Sequence, residues 1–91
     1  MSERFICETN ILNYKCEYYL VESKCYIESI GNTLRYGIKV ISYDVNGIPL
    51  DSKTVPDVFG NESKMIKGIE ILKRLQVTPI TLEDVLIDNI Y

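Results

Sequence analysis

The joint at residues 76–85, Gln-Val-Thr-Pro-Ile-Thr-Leu-Glu-Asp-Val, is the feature that most constrains how this chain can fold. Pro79 biases the residue before it away from helical backbone, so a helix that arrives here has to end. Thr81 is a suitable N-cap, and Asp84, three residues later, can complete a capping box. Ile80 and Val85 have the spacing of a hydrophobic staple. The joint therefore predicts the end of one helix and the start of another.

Amphipathic patterns lie on both sides of the joint. Asn61 is a predicted N-cap, and the helix that follows it should run to about Gln76. The apolar stripe of this first helix comprises Met65, Ile69, Leu72 and Leu75. In the second helix one side is lined by Leu82, Val85, Leu86 and Ile90. Both helices therefore have one face that can cover a sheet.

Strand patterns fill the middle of the chain. Residues 16–22 have strand composition, and residues 25–30 either extend that strand or form a separate hairpin arm. Residues 33–44 alternate with a period of two, which places Leu34, Tyr36, Ile38 and Val40 on one face. Arg35, Gly37 and Lys39 then lie on the other face. Gly37 weakens a strand interior unless something packs close to it, which would be explained by either a bulge or an aromatic neighbour.

A hairpin turn is predicted at Asn46-Gly47, because a type I′ turn needs positive φ at both positions. This turn would pair Val45 with Ile48 and Asp44 with Pro49. The strand at residues 48–55 should lie at an edge of the sheet, since Pro49 cannot donate a backbone hydrogen bond.

These elements predict one α+β domain over residues 14–91, preceded by residues 1–13 as either an N-terminal arm or a short edge strand. The fold class is an antiparallel three-stranded β-meander, or a four-stranded one if the N-terminal segment joins it. Two α-helices follow and pack on one face of the sheet.

Composition excludes several kinds of chemistry. The chain has 91 residues, a net charge of −3, no histidine and three cysteines. Without histidine there is no Ser–His, Cys–His or His-based metal chemistry. No P-loop, dinucleotide fingerprint or Ca²⁺ loop occurs. The odd cysteine count fits reduced thiols, and their spacing matches no zinc pattern. We therefore expect a protein that is not an enzyme and binds neither a cofactor nor a metal.

The acidic residues Glu83, Asp84 and Asp88 admit two interpretations. They could bind Mg²⁺ or a basic partner, or they could serve the helix N-terminus and the solvated surface. The structural interpretation is favoured. The chain also lacks an apolar run of ~18 residues and a signal-peptide pattern, so we expect a cytoplasmic protein without membrane attachment.

Seven tyrosines are the main functional signal, because most of them fall in or beside the predicted strands. If helices cover one sheet face, Tyr19 and Tyr43 line the other. Exposed tyrosines favour protein interfaces, and they also stack single-stranded bases. We hypothesise that the chain binds a protein partner, or itself, through this face or an edge strand. The alternative is single-stranded nucleic acid bound by the same tyrosines with Arg35 and Lys39; a third interpretation is that these are ordinary strand tyrosines.

Two motifs carry a resemblance to a known family. Residues 36–40, Tyr-Gly-Ile-Lys-Val, and residues 77–85, Val-x-Pro-x-x-Leu-x-Asp-Val, resemble a family of small proteins of unknown function from clostridia and related Firmicutes. The likeness covers residues 14–91. The resemblance implies a bacterial, intracellular, single-domain protein; it supplies no catalytic residues.

Overall fold

The computed structural model describes residues 2–89, which form a four-stranded sheet followed by two helices. This confirms the predicted α+β class and the four-stranded alternative. The elements in chain order are β1 Ser2–Ile11, β2 Tyr14–Ile27, β3 Gly31–Asp44, β4 Pro49–Phe59, α1 Glu62–Arg74 and α2 Leu82–Asn89.

The sheet is an antiparallel meander with strand order β1-β2-β3-β4. Residues 16–27 belong to a single long strand, so the segment at residues 25–27 extends β2. A bulge in β1 shifts the register between Phe5 and Cys7, so Phe5 lies opposite Tyr19 whereas Cys7 lies opposite Tyr18. Phe5 and Cys7 therefore point to opposite faces of the sheet, although their spacing in an unbroken strand would place them on the same face.

Gly37 marks the point where β4 bends. Tyr36 pairs with Phe59 and Ile38 pairs with Val55, so three residues of β4 lie opposite Gly37 alone. A Cβ atom at position 37 would overlap the carbonyl oxygen of Val55 and would lie 2.6 Å from Cα of Pro56. Of the two explanations that the sequence leaves open for Gly37, the bulge is therefore the one present, and it requires glycine.

The predicted type I′ turn at Asn46-Gly47 is wrong. Only Gly47 has positive φ, at 80°, and the N–H of Gly47 donates to the carbonyl of Asp44. Asp44 pairs with Ile48 through its backbone, so the loop contains three residues instead of two. The Asp44 carboxylate explains the shift, because it accepts hydrogen bonds from the backbone N–H groups of Asn46 and Ile48 at 2.8 and 2.9 Å.

Helix α1 has defined caps at both ends. Asn61 caps the N-terminus as predicted, because its side chain accepts a hydrogen bond from the N–H of Lys64. At the C-terminus the N–H of Val77 donates to Leu72 and the N–H of Gln76 donates to Lys73, which is a Schellman motif. Gln76 occupies the left-handed position of this motif with φ 54°. The helix thus ends two residues before Gln76, and Leu75 is half exposed outside the core.

The capping box and the staple predicted for α2 are wrong. The Thr81 hydroxyl turns back and accepts a hydrogen bond from the backbone N–H of Thr78 at 3.1 Å. Ile80 is 82% exposed and cannot staple Val85. It lines a cleft of about 330 Å³ together with Tyr14, Leu50 and Pro79. The joint still separates the two helices, but its polar contacts lie within the turn at residues 78–81.

The core lies between one sheet face and the two helices. The residues buried in it include Cys16, Tyr18, Leu20, Ile38, Val40, Met65, Ile69, Leu72, Leu82 and Leu86. The Tyr18 hydroxyl donates to the carbonyl of Val77 at 2.8 Å, which ties the sheet to the joint. Ile90, predicted to belong to the apolar side of α2, lies outside the described residues. Within residues 2–89 there is no helix with the length and apolar character needed to span a bilayer.

Candidate functional site

The sheet face opposite the helices is the candidate site, and we call it the open face. Helix α1 contacts all four strands on the other side, where Arg4 pairs with Glu62. Helix α2 lies on the same side, since Lys53 of β4 pairs with Glu83 at 2.6 Å. Neither helix covers the open face. By register its residues include Glu3, Phe5, Glu8, Lys15, Glu17, Tyr19, Val21, Arg35, Lys39, Ile41 and Tyr43.

An aromatic pair lies at the centre of the open face. The rings of Phe5 and Tyr19 are 5.7 Å apart at their centroids and inclined at 76°, which is an edge-to-face contact. Phe5 is 49% exposed, and Tyr19 is half-buried. Val21, the neighbour of Tyr19 on this face, is fully buried beside the bend of β4 at Gly37. The pair therefore presents apolar ring surface on a packed base.

Glu17 connects the two tyrosines predicted to bind. Its carboxylate accepts a hydrogen bond from the Tyr19 hydroxyl at 2.8 Å and lies 3.3 Å from Nζ of Lys15. Lys15 lies directly opposite Tyr43 in the sheet, with its Nζ 5.2 Å from the centroid of the Tyr43 ring. This is a cation–π contact between neighbouring strands. The network holds both tyrosine rings in fixed positions.

The network also changes the proton affinities of its members. The hydrogen bond to Glu17 raises the pKa of Tyr19 to about 12, with a further contribution from burial. Partial burial alone would raise the pKa of the Glu17 carboxyl, but hydrogen bonds from Tyr19, Tyr43 and Lys15 outweigh burial and lower it. Glu17 is therefore an anion over the whole neutral range, and Tyr19 is a neutral donor.

The cations of the open face are all paired with carboxylates. Nε of Arg35 lies 2.6 Å from Asp57, and Nζ of Lys39 lies 3.3 Å from Glu3. Lys15 pairs with Glu17 and, at 3.5 Å, with Glu8. The open face thus contains no surplus of positive charge among the residues described.

The structure places all four predicted binding residues on the open face, namely Tyr19, Tyr43, Arg35 and Lys39. It brings Tyr19 and Tyr43 together through Glu17 and Lys15 and places Lys39 directly opposite Tyr19, whereas Arg35 lies farther along β3, beyond Gly37. Sequence reasoning missed Phe5, because the β1 bulge that turns it to this face leaves no clear signal in the sequence. The Glu17 network did have a signal in the sequence, because Lys15, Glu17 and Tyr19 have the spacing that places all three on one face of a strand.

The other candidates from the sequence lie elsewhere. Glu83 pairs with Lys53, while Asp84 and Asp88 are exposed on α2. Burial raises the pKa of the thiols of Cys7 and Cys16, so neither resembles an activated nucleophile. Cys25 is half-buried in the outer part of β2.

Comparison with known proteins places the chain in a family. No curated protein and no solved structure matches it. A family model matches residues 1–91, more than the segment over which the sequence resemblance extends; the clostridial origin stays a prediction. The chain belongs to the family of unknown function (DUF6514).

Proposed function

We propose that this protein is a non-enzymatic interaction module that binds a partner protein through the open face. The observation that carries the proposal is the half-exposed Phe5–Tyr19 pair, which lies on a buried base and is surrounded by hydrogen-bonded and ion-paired groups. Binding hot spots have this composition, with aromatic anchors at the centre and polar groups around them. In line with the resemblance, we place this role in the bacterial cytoplasm.

Pre-organisation supports the proposal. Tyr19 is held by Glu17, and Tyr43 is held by the ammonium of Lys15. When a partner contacts these rings, Tyr19 and Tyr43 therefore lose little side-chain freedom, which favours affinity. The expected partner surface presents an apolar side chain to the Phe5 and Tyr19 rings and hydrogen-bonding groups to the Tyr43 side.

Charge favours a protein over a nucleic acid as the ligand. Binding to a single strand draws much of its free energy from cations that neutralise phosphates. Here Lys15, Arg35 and Lys39 already pair with carboxylates. We expect no electrophoretic shift of random single strands at low salt. A shift that is lost in the Tyr19→Ser/Tyr43→Ser variant would replace the proposal with the nucleic-acid alternative.

Affinity capture from the native host tests the proposal. The bait is the wild-type chain or the Tyr19→Ser/Tyr43→Ser double variant, and captured proteins are quantified by mass spectrometry. We expect one or more proteins to be enriched by the wild type and lost with the double variant. The matched control is Ile87→Ser, which changes an exposed apolar residue on α2, away from the open face. Equal recovery with wild type and double variant would contradict the proposal.

A further inference from the structure

The outer part of the β2–β3 hairpin extends beyond the rest of the sheet. β1 pairs with β2 only as far as Glu22, and β4 pairs with β3 only from Tyr36 onward. The rungs from Ser23–Arg35 to Ile27–Gly31 therefore have no neighbouring strand among residues 2–89. We call residues 23–35 the distal hairpin. It helps give the chain its elongated shape, 48 × 25 × 19 Å.

The distal part of β2 lacks the bulge and the prolines that protect the other edges of the sheet, and Lys24 is the charged residue it carries. β1 carries a bulge, and β4 contains Pro49 and Pro56 together with a wide bend. Such features prevent a free edge from pairing with another chain. Between residues 23 and 27, β2 has neither a proline nor a shift in register. Among the residues described, 2–89, no strand pairs with this edge of β2, so its backbone groups are a template for another strand.

The distal hairpin carries four exposed large apolar side chains. Tyr26 is 72% exposed and Ile30 is 70% exposed, while Ile27 and Leu34 are also exposed. A hairpin of two strands is marginally stable by itself in water. Pairing with a further strand would satisfy the free edge and cover part of this apolar surface.

We propose that the distal hairpin pairs with the distal hairpin of a second copy of this chain. Antiparallel pairing of a strand with itself across a two-fold axis is self-complementary. With the axis at Cys25, Lys24 of each copy lies opposite Tyr26 of the other, and Ser23 lies opposite Ile27. Each Lys24–Tyr26 pair places an ammonium beside an aromatic ring on one face of the ribbon.

The structure already contains one lysine–tyrosine contact between directly opposed residues of antiparallel strands, which is the contact that this register would form. Lys15 and Tyr43 are directly opposed residues of neighbouring antiparallel strands, and Nζ of Lys15 lies 5.2 Å from the ring centroid. The proposed dimer forms the same cross-strand contact twice. Because Lys24 and Tyr26 of one copy match Tyr26 and Lys24 of another, we infer that the strand that pairs with this edge belongs to a second copy.

The size of the contact sets its strength. Only five residues of each β2 strand take part. The area that each copy buries is therefore well below the ~800 Å² per partner of a standard interface. The dimer is therefore a weak and reversible one, and it forms in a concentration-dependent way. Of the open-face residues named above only Arg35 belongs to the distal hairpin, and it lies on β3, not on the β2 edge that pairs. Dimerisation and partner binding are therefore separate properties.

Sedimentation equilibrium from micromolar to millimolar concentration tests the proposal. The wild type should pass from monomer to dimer. Tyr26→Lys should raise the dimer Kd by at least about tenfold, because it removes two cation–π contacts and opposes like charges. The Lys24→Tyr/Tyr26→Lys double variant exchanges the two side chains and should restore dimerisation. A wild type that stays monomeric throughout, or a double variant as weak as Tyr26→Lys, would overturn the proposal.

Controls separate this surface from the open face. Lys64→Tyr on α1 matches the Lys24 substitution in type and should leave the dimer Kd unchanged. Tyr19→Ser/Tyr43→Ser should abolish partner capture while dimerisation persists. Tyr26→Lys should do the reverse. Dimerisation lost only in Tyr19→Ser/Tyr43→Ser would overturn the distal-hairpin assignment and move self-association to the open face.

Discussion

At the scale of single residues, two residues adopt backbone conformations that the sequence does not indicate. Gln76 and Leu12 have φ values of 54° and 50°, in the left-handed region that glycine or asparagine usually occupies. Neither residue type signals such a turn, so the end of α1 was predicted two residues late. The capping residue Asn61, by contrast, was readable from sequence because its side-chain chemistry is specific to that position.

Replacing Gln76 with glycine should stabilise the protein. A non-glycine residue in the left-handed region is strained, and the gain from Gln76→Gly should be about 0.5–1 kcal/mol in the free energy of unfolding. Urea denaturation measures it. The control is Lys67→Gly at an exposed position within α1, which should cost about 1 kcal/mol. Equal destabilisation by both substitutions would show that Gln76 is not strained.

The hydrogen bond from Tyr19 to Glu17 predicts a late tyrosine titration. Tyr19 has a pKa of about 12 instead of the ordinary 10.0, mainly because its hydroxyl donates to the Glu17 carboxylate. Its contribution to stability is therefore complete below pH 10 and is lost as the pH rises through 12. The difference between the ultraviolet titration curves of the wild type and the Tyr19→Phe variant isolates the titration of the Tyr19 hydroxyl.

Removing the acceptor should reverse the shift. In a Glu17→Gln background the Tyr19 titration should move down towards 10, whereas Glu8→Gln, which loses a contact with Lys15 only, should leave it near 12. An unchanged titration in Glu17→Gln would mean that the hydrogen bond does not hold Tyr19 in solution.

At the scale of elements, period and composition were enough to predict β2, β3, the first part of β4 and both helices in their order, whereas residues 1–13 were left as either an arm or a short edge strand. The alternation in residues 33–44 correctly assigned Ile38 and Val40 to the core and Lys39 to the open face. Irregularities were harder. The bulge in β1 redirects Phe5, and the Asp44 carboxylate lengthens the β3–β4 turn; both depend on local contacts that a pattern of hydrophobicity does not record. Part of the candidate site was therefore predictable and its aromatic centre was not.

The bend of β4 should make Gly37 intolerant of substitution. Gly37→Ala would force the Cβ atom into the backbone of Val55 and Pro56, and backbone cannot move aside as a flexible side chain can. We expect a loss of about 2–3 kcal/mol in the free energy of unfolding. Gly60→Ala is the control, because the Cβ atom there meets only the guanidinium end of Arg35. Similar losses in both variants would contradict the close approach at Gly37.

At the scale of the whole molecule, residues 2–89 form two layers, and within them one sheet face has no helix over it. The core is complete without that face, since the buried residues between sheet and helices form one cluster. The open face instead carries a fixed set of aromatic and charged side chains, and the distal hairpin carries an unprotected edge. We infer that the fold is built to present these two surfaces, one for a partner protein and one for a second copy.

Photo-crosslinking in the native host tests the role of the open face most directly. A benzoylphenylalanine replaces either Phe5, at the centre of the open face, or Ile87, exposed on α2. We predict a discrete crosslinked complex with another protein from position 5 and none from position 87. No complex from position 5, or the same complex from both positions, would contradict the claim that the open face is where this protein binds its partner.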